Sequence, residues 1–321
     1  VNSGSEASDL AIRMAQKHSG NKSIMVLEHG YHGHTQTGID ISEYKFNHPK
    51  GQGQKSHILK TPIPKKYKGR YEGKNEPGVL YAKEAIEQLN KNENSIAAFI
   101  AEPIVGCGGQ VPLASGYLKT LYPEIRKKGG LCISDEVQTG FGRLGSVFWG
   151  FELHGVIPDM VVLGKPMANG HPMGAVVSSE EVAASFAEGV EFFSSFGGNP
   201  VSCAIGKAVL EVIDEEKLQK NALEVGKYYC SLLKELQKED ARIGDVRGEG
   251  LFLGVELINE HEKPNTELAQ LLKNELRNRH VLISTDGPAD SVIKTKPPIL
   301  FTKSNAERVV SEIRRALKIY R

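Results

Sequence analysis

A chain of 321 residues, 40% apolar and 25% charged, is long enough for two domains with ample core. A net charge of +1 marks neither a nucleic-acid binder nor a membrane-surface binder, and no apolar run approaches the length of a membrane span. Cys107, Cys132, Cys203 and Cys230 lack metal-ligand spacing and the first residues do not read as a signal peptide, so a reduced, cytoplasmic protein is expected.

The chain opens at Val1-Asn2-Ser3-Gly4 without a methionine or a leading strand, and a further N-terminal segment is expected. Asn2-Ser3-Gly4-Ser5-Glu6-Ala7 runs into helical spacing over Ala7–Lys17. Ser3 or Ser5 can cap that helix, and the amides of its first turn can hold a phosphate; the same pattern also serves an ordinary N-cap. Ser23–Glu28 reads as a strand leading to His29-Gly-Tyr31-His32-Gly33-His34. An aromatic among glycines at a strand end can stack on a flat ring. No acidic ligand at a usual spacing accompanies these histidines, so no metal is expected.

Residues 42–79, rich in Lys, Gly, Pro and Tyr, read as a long exposed excursion with one short strand, His57–Thr61. The cluster Lys65-Lys66-Tyr67-Lys68-Gly69-Arg70-Tyr71 has the make-up of a nucleic-acid contact, but in a nearly neutral chain a solvated loop or a lip over a site is preferred. From Leu80 an α/β rhythm sets in: helix to Asn92, strand Ser95–Ala101 ending in Glu102-Pro103, helix Gly116–Lys128, strand Gly130–Asp135. Asp159-Met-Val-Val-Leu-Gly-Lys165 is a buried strand with a lysine just past its end. Strand Gly174–Ser178 and helix Glu180–Glu188 follow. Glu191–Pro200, rich in hydroxyls and glycine, is either a further phosphate-binding loop or a plain loop with an N-cap before one long helix, Val201–Glu239. Beyond it the sequence predicts a glycine-interrupted strand over Val246–Leu257, helix Asn265–Arg279, strand His280–Ser284 and helix Lys303–Ile319, a smaller α+β domain.

A lysine after a strand is usually a solvated surface residue. Here a second strand delivers Asp135. One fixed amine and one fixed carboxylate, each at a strand end, suit pyridoxal phosphate, which needs a lysine for its aldehyde and an acid to keep its ring nitrogen protonated.

Six segments together resemble the class III aminotransferases, fold-type-I pyridoxal-phosphate enzymes: Asn2-Ser-Gly-Ser-Glu-Ala7, Tyr31-His-Gly33, Ala101-Glu-Pro-Ile104, Ser134-Asp-Glu-Val-Gln-Thr-Gly-Phe-Gly-Arg143, Leu163-Gly-Lys165 and Phe196-Gly-Gly-Asn-Pro200. The likeness runs along essentially the whole chain. It implies an α/β large domain with a mostly parallel central sheet over residues 1–205, and a linking helix with a small α+β domain over 206–321. It also implies a homodimer binding pyridoxal 5′-phosphate, with Lys165 as the Schiff-base and proton-shuttling residue and Asp135 as partner of the ring nitrogen. Tyr31 and Val137 match the residues that sandwich the ring, Gln138 the one near its hydroxyl, and Gly4 and Ser5 the phosphate cup, with Ser3 and His32 beside them. Glu102 matches a glutamate near the cofactor. Ser195 stands where the family usually has a threonine that reaches the phosphate of the neighbouring subunit.

Within the family the look is closest to the ethanolamine-phosphate and phosphohydroxylysine phospho-lyases, through Cys107-Gly-Gly-Gln110, Gly170-His171-Pro172, Gly189–Phe193, Gly244–Gly248, Ser284–Pro288 and Lys294–Pro298. Ornithine-type and GABA-type transaminases carry an arginine where this chain has His34 and another where it has Lys294, and some pair the latter with an acid where Cys107 stands. A planar carboxylate is best held by a guanidinium. Losing both arginines argues for a substrate without a carboxylate, an aminoalkyl phosphate, with His34, Arg143 and Lys294 as candidate substrate contacts. The rival readings are transamination to pyruvate or glyoxylate on the same residues, and a non-catalytic or incomplete cofactor-binding fragment. A dinucleotide-dependent oxidoreductase is remote, because no Gly-x-Gly-x-x-Gly follows a first strand.

Overall fold

The computed structural model describes residues 1–92 and 95–320. In chain order the first elements are α1 (Gly4–Ser19), β1 (Ser23–Leu27), α2 (Gln36–Asp40), α3 (Glu43–Phe46), β2 (Ile58–Thr61), α4 (Pro77–Lys91) and β3 (Ile96–Ala101). Then come β4 (Ile104–Val105), β5 (Val111–Pro112), α5 (Tyr117–Lys127), β6 (Leu131–Asp135), β7 (Met160–Leu163), β8 (Ala175–Ser178), α6 (Glu180–Ala187) and α7 (Pro200–Glu215). The remainder is α8 (Leu218–Glu239), β9 (Ile243–Glu249), β10 (Phe252–Leu257), α9 (Thr266–Asn278), β11 (Ser284–Asp286), β12 (Val292–Thr295) and α10 (Lys303–Ile319).

These form two compact units. The first holds residues 1–103, 113–141 and 149–212; the second holds 104–112, 142–148 and 213–321. In the first, six strands pair in the order β2-β1-β3-β6-β7-β8. All pairings are parallel except β7 with β8. β1, β3 and β6 are buried along their whole length, which is why they read as continuous apolar runs rather than alternating ones. α1 packs against β3, β6 and β7 through Ala7, Ala11, Ile12, Met14 and Ala15, a stripe at helical spacing. Parallel pairing carries the C-terminal ends of β1, β3, β6 and β7 to one edge of the sheet, where α/β proteins place their ligands.

The second unit is built on a four-stranded antiparallel sheet, β11-β12-β10-β9. One core joins it to α8, α9 and α10 through Tyr229, Leu233, Val255, Leu272, Ile293 and Ile313.

Four sequence expectations change. The long helix over 201–239 is two helices, α7 and α8, because Lys217 takes a left-handed conformation (φ +54°) between them. The strand over Val246–Leu257 is a hairpin turning at Gly250 (φ +53°), where a Cβ would stand 2.5 Å from the Leu144 backbone. The strand placed over His280–Ser284 runs instead over Ser284–Asp286. Finally, 42–79 is not uniformly exposed: Ser42, Glu43, Phe46, Ile58, Thr61 and Ile63 are buried.

Candidate active site

A cavity of about 220 Å³ opens at that edge of the first unit's sheet. Ser3, Gly4, Ser5 and Ser8 line it from α1; Tyr31, His32 and Gly33 from the turn after β1; Glu102 from the end of β3; Asp135, Val137 and Gln138 from the end of β6; and Lys165 from just past β7.

The α1 end is a donor cradle. Ser3 is the N-cap, and its Oγ accepts from Glu6 N–H at 3.1 Å. The first intrahelical bond runs from Ala7 N–H to Ser3 O, so the amides of Gly4 and Ser5 have no acceptor within the helix. With the helix dipole they form an anion site at the cavity wall. Gly4 leaves room for the valine beside it: a Cβ there would stand 2.9 Å from Val137 Cγ2 and force that side chain to shift. Ser5 Oγ accepts from His34 N–H at 3.0 Å.

Asp135 is buried. Its Oδ2 lies 2.7 Å from His32 Nδ1 and its Oδ1 accepts from Val137 N–H at 3.1 Å. A carboxylate only accepts, so Nδ1 carries the imidazole proton. His32 Nε2 is buried and has no partner among the described residues. Glu102, also buried, ties two strand ends together: its Oε1 accepts from Tyr31 N–H and its Oε2 from Gln138 Nε2, each at 3.3 Å. The neighbouring acid, Glu136, turns to the opposite side of its strand. It accepts from Ser134 Oγ, Thr139 Oγ1 and the amides of Gly150 and Phe151, and burial pushes its carboxyl above the usual range. Two adjacent carboxylates thus divide into a site group and a structural group by strand alternation.

Of the expected site residues, Ser3, Gly4, Ser5, Tyr31, His32, Glu102, Asp135, Val137, Gln138 and Lys165 lie on one wall. Ser195 and His34 are exposed and outside the lining. Arg143 and Lys294 belong to the second unit. Arg143 Nη1 donates to Leu251 O at 3.2 Å and Pro297 O at 2.8 Å, and burial lowers its basicity. Lys294 is ion-paired to Asp286 at 2.8 Å. Sequence reasoning missed Ser8, whose buried Oγ has no partner among the described residues and lies on the cavity wall. The available signal was its position one helical turn beyond Gly4.

A family model for class III aminotransferases matches residues 1–317. The chain belongs to the class III aminotransferases. Members of this family depend on pyridoxal phosphate. A Drosophila melanogaster relative named alanine–glyoxylate aminotransferase 2-like is 46% identical over 99% of this chain and 66% of its own length. A Caenorhabditis elegans ethanolamine-phosphate phospho-lyase homologue is 37% identical over 99% of the chain and 72% of its own length. Human mitochondrial alanine–glyoxylate aminotransferase 2 is 38% identical over 99% of the chain and 66% of its own length, so the chain spans about two thirds of these proteins. Among solved structures, an Arthrobacter phospholyase in complex with phosphoethanolamine superposes with a TM-score of 0.92 at 36% identity, over 99% of this chain and 76% of that one. A Bacillus anthracis aminotransferase superposes with a TM-score of 0.91 at 28% identity, over 99% and 75%.

The wall suits the family's cofactor on its own chemistry. It offers an amine, a buried carboxylate backed by an imidazole, an aromatic and an aliphatic face, a helix N-terminus for phosphate, and the orphaned hydroxyl of Ser8.

Proposed function

We propose that this class III aminotransferase is a phospho-lyase that removes phosphate and ammonia from O-phosphoethanolamine or a similar phospho-amine. When bound, pyridoxal phosphate supplies an aldehyde carbon for the amine and a ring that accepts an electron pair. Lys165 Nζ removes the proton from the carbon bearing the amine. Asp135, oriented by His32 Nδ1–H, holds a proton at the ring nitrogen. Tyr31 and Val137 enclose the ring, and the amides of Gly4 and Ser5 hold its phosphate. The electron pair left by that proton forms a double bond to the adjacent carbon as the substrate's own phosphate departs with the C–O pair, and water then hydrolyses the resulting enamine to ammonia and acetaldehyde.

The observation carrying this choice is that no arginine stands among the described residues lining the cavity. Arg143 Nη1 donates to two carbonyls and Lys294 is ion-paired to Asp286, and neither stands among the residues lining the cavity. The second reading is transamination to pyruvate or glyoxylate, favoured by the relative that is 46% identical and carries an aminotransferase name. We further read the protein as a cytoplasmic homodimer. Val190, Phe193, Phe196 and Val201 leave an apolar face exposed beside Ser195, as a second copy would require, and the four cysteines are free. Light scattering on Phe193→Glu, expected to shift dimer to monomer, tests the assembly.

The deciding assay adds O-phosphoethanolamine to the cofactor-loaded protein without any keto acid. Equal release of phosphate and ammonia over many turnovers supports the lyase. Turnover that begins only when pyruvate or glyoxylate is supplied overturns it in favour of transamination. A protein that takes up no cofactor leaves the reading of a non-catalytic fragment.

A further inference from the structure

The turn that carries Tyr31 and His32 is gripped from behind by three consecutive residues. His29 N–H donates to Glu43 Oε2 at 2.9 Å, His32 N–H to Ser42 Oγ at 2.8 Å, and Tyr44 N–H to Gly30 O at 3.3 Å. Ser42 stands at the N-cap position of α3 yet makes no capping bond. Its fully buried hydroxyl accepts from His32 and donates to Gly38 O at 2.6 Å instead. Glu43 is a carboxylate only 2% exposed. Its other oxygen meets Lys60 Nζ at 3.3 Å, from β2 at the edge of the sheet. The His29 imidazole is 3.8 Å away, and its burial holds it below the ordinary histidine range, so Lys60 supplies the compensating cation at neutral pH.

A buried carboxylate is costly unless it is paired and hydrogen-bonded, and the Glu43 oxygens meet His29 N–H and Lys60 Nζ. Here the fixed conformation is uncommon outside glycine: His29 adopts a left-handed φ of +57°, a region that histidine tolerates better than most side chains. The same segment continues to the Tyr31 ring. Tyr44 meets it edge-on at 6.1 Å, and the Lys45 ammonium lies 5.5 Å from its centroid.

We infer that Glu43, with Ser42, is a positioning residue for the cofactor ring, setting Tyr31 and His32 through the backbone of residues 29–32. This rests on the pyridoxal-phosphate reading above. It gives a role to the start of a stretch whose composition is that of a solvated loop. Neither residue lines the cavity, so substitution acts through the turn.

The experiment compares wild type, Glu43→Ala and Glu43→Gln by three readouts. These are amide hydrogen exchange at residues 29–32 without cofactor, the dissociation constant for pyridoxal phosphate, and visible circular dichroism of the bound cofactor. Glu43→Ala is expected to speed exchange at His29, weaken cofactor binding about ten- to a hundredfold, the scale seen when support behind a ligand is removed, and reduce the dichroic band. Glu43→Gln keeps an oxygen for His29 N–H and should recover most of all three. If Glu43→Ala does not fold, Ser42→Ala, which deletes only the acceptor of His32 N–H, decides on the same readouts. Faster exchange with unchanged affinity and dichroism makes the grip merely structural and overturns the inference, as does unchanged exchange. Wild-type protein that binds no cofactor overturns the functional reading and this inference with it, whereas normal wild-type binding with an indifferent variant overturns this inference alone.

Discussion

Asp135→Asn separates charge from shape at the centre of the site. The carboxylate accepts from His32 Nδ1–H at 2.7 Å and from Val137 N–H at 3.1 Å. Asparagine fills the same volume but keeps one accepting oxygen. If that oxygen stays with Val137, the new NH2 faces His32 Nδ1, and the ring must move its own proton to Nε2 to accept. In the free protein Nε2 is buried without a partner among the described residues. The swapped tautomer therefore buries an unpaired donor, at about 1–3 kcal/mol. For a unit of this size that lowers the melting temperature by about 2–12 °C. Function should suffer more specifically. A hydrogen bond to a charged group is worth about 1.5–3 kcal/mol, or roughly 10- to 150-fold in a rate that depends on it. We expect a folded variant whose turnover falls by at least about tenfold, with His32 nitrogen shifts in the free protein reporting the exchanged tautomer. Wild-type turnover in the cofactor-loaded variant would refute the role given to the carboxylate. An unchanged His32 tautomer would refute the reasoning from the two acceptors.

Lys165→Ala should abolish both turnover and covalent attachment: after borohydride reduction, the peptide spanning residue 165 gains the cofactor's mass in wild type only. His29 and His154 are both held below the ordinary histidine value of 6.5, chiefly by burial. The unfolded chain therefore binds protons first, and stability present above about pH 6.5 is lost as the pH falls through the folded values. Melting temperatures between pH 7.5 and 5.5 should show this, and His154→Gln should make the slope shallower. Arg143→Met strands the carbonyls of Leu251 and Pro297 and should cost about 1–3 kcal/mol in denaturant titrations. Its effect on the substrate KM should be nil; a KM raised with stability unchanged would return Arg143 to the substrate site.

The sequence was most legible where one short segment sets both the position and the chemistry of a side chain. A buried strand reads as an apolar run, and a residue at or just past its end is delivered to the sheet edge. That rule locates Asp135 and Lys165, and the N-cap rule locates Ser3, Gly4 and Ser5. Ser8 escaped because a serine inside a helix carries no periodic signal. The break at Lys217 escaped because Asp214-Glu215-Glu216-Lys217 contains no glycine or proline to mark it. Glu43 escaped because a lysine- and glycine-rich stretch is read by its average composition, which does not reveal a single carboxylate folded inward.

The substrate side is harder to read for a related reason. Arg143 and Lys294 are visible in the sequence as cations, but the sequence does not show which groups their donors meet in the fold. Arg143 is held by carbonyls 108 and 154 residues away, and Lys294 by an acid on the adjacent antiparallel strand. Such pairings follow from strand register and loop closure, which a local motif does not encode. Cofactor class is written at strand ends and a helix start, whereas the partners of substrate-side cations depend on long-range pairings such as Lys294 with Asp286. On this argument, Asp286→Asn would release the Lys294 ammonium. If substrate carboxylates are excluded because that cation is engaged, the variant should gain activity toward an amino-acid donor relative to a phospho-amine; an unchanged ratio of kcat/KM values would show that Lys294 has no part in the discrimination.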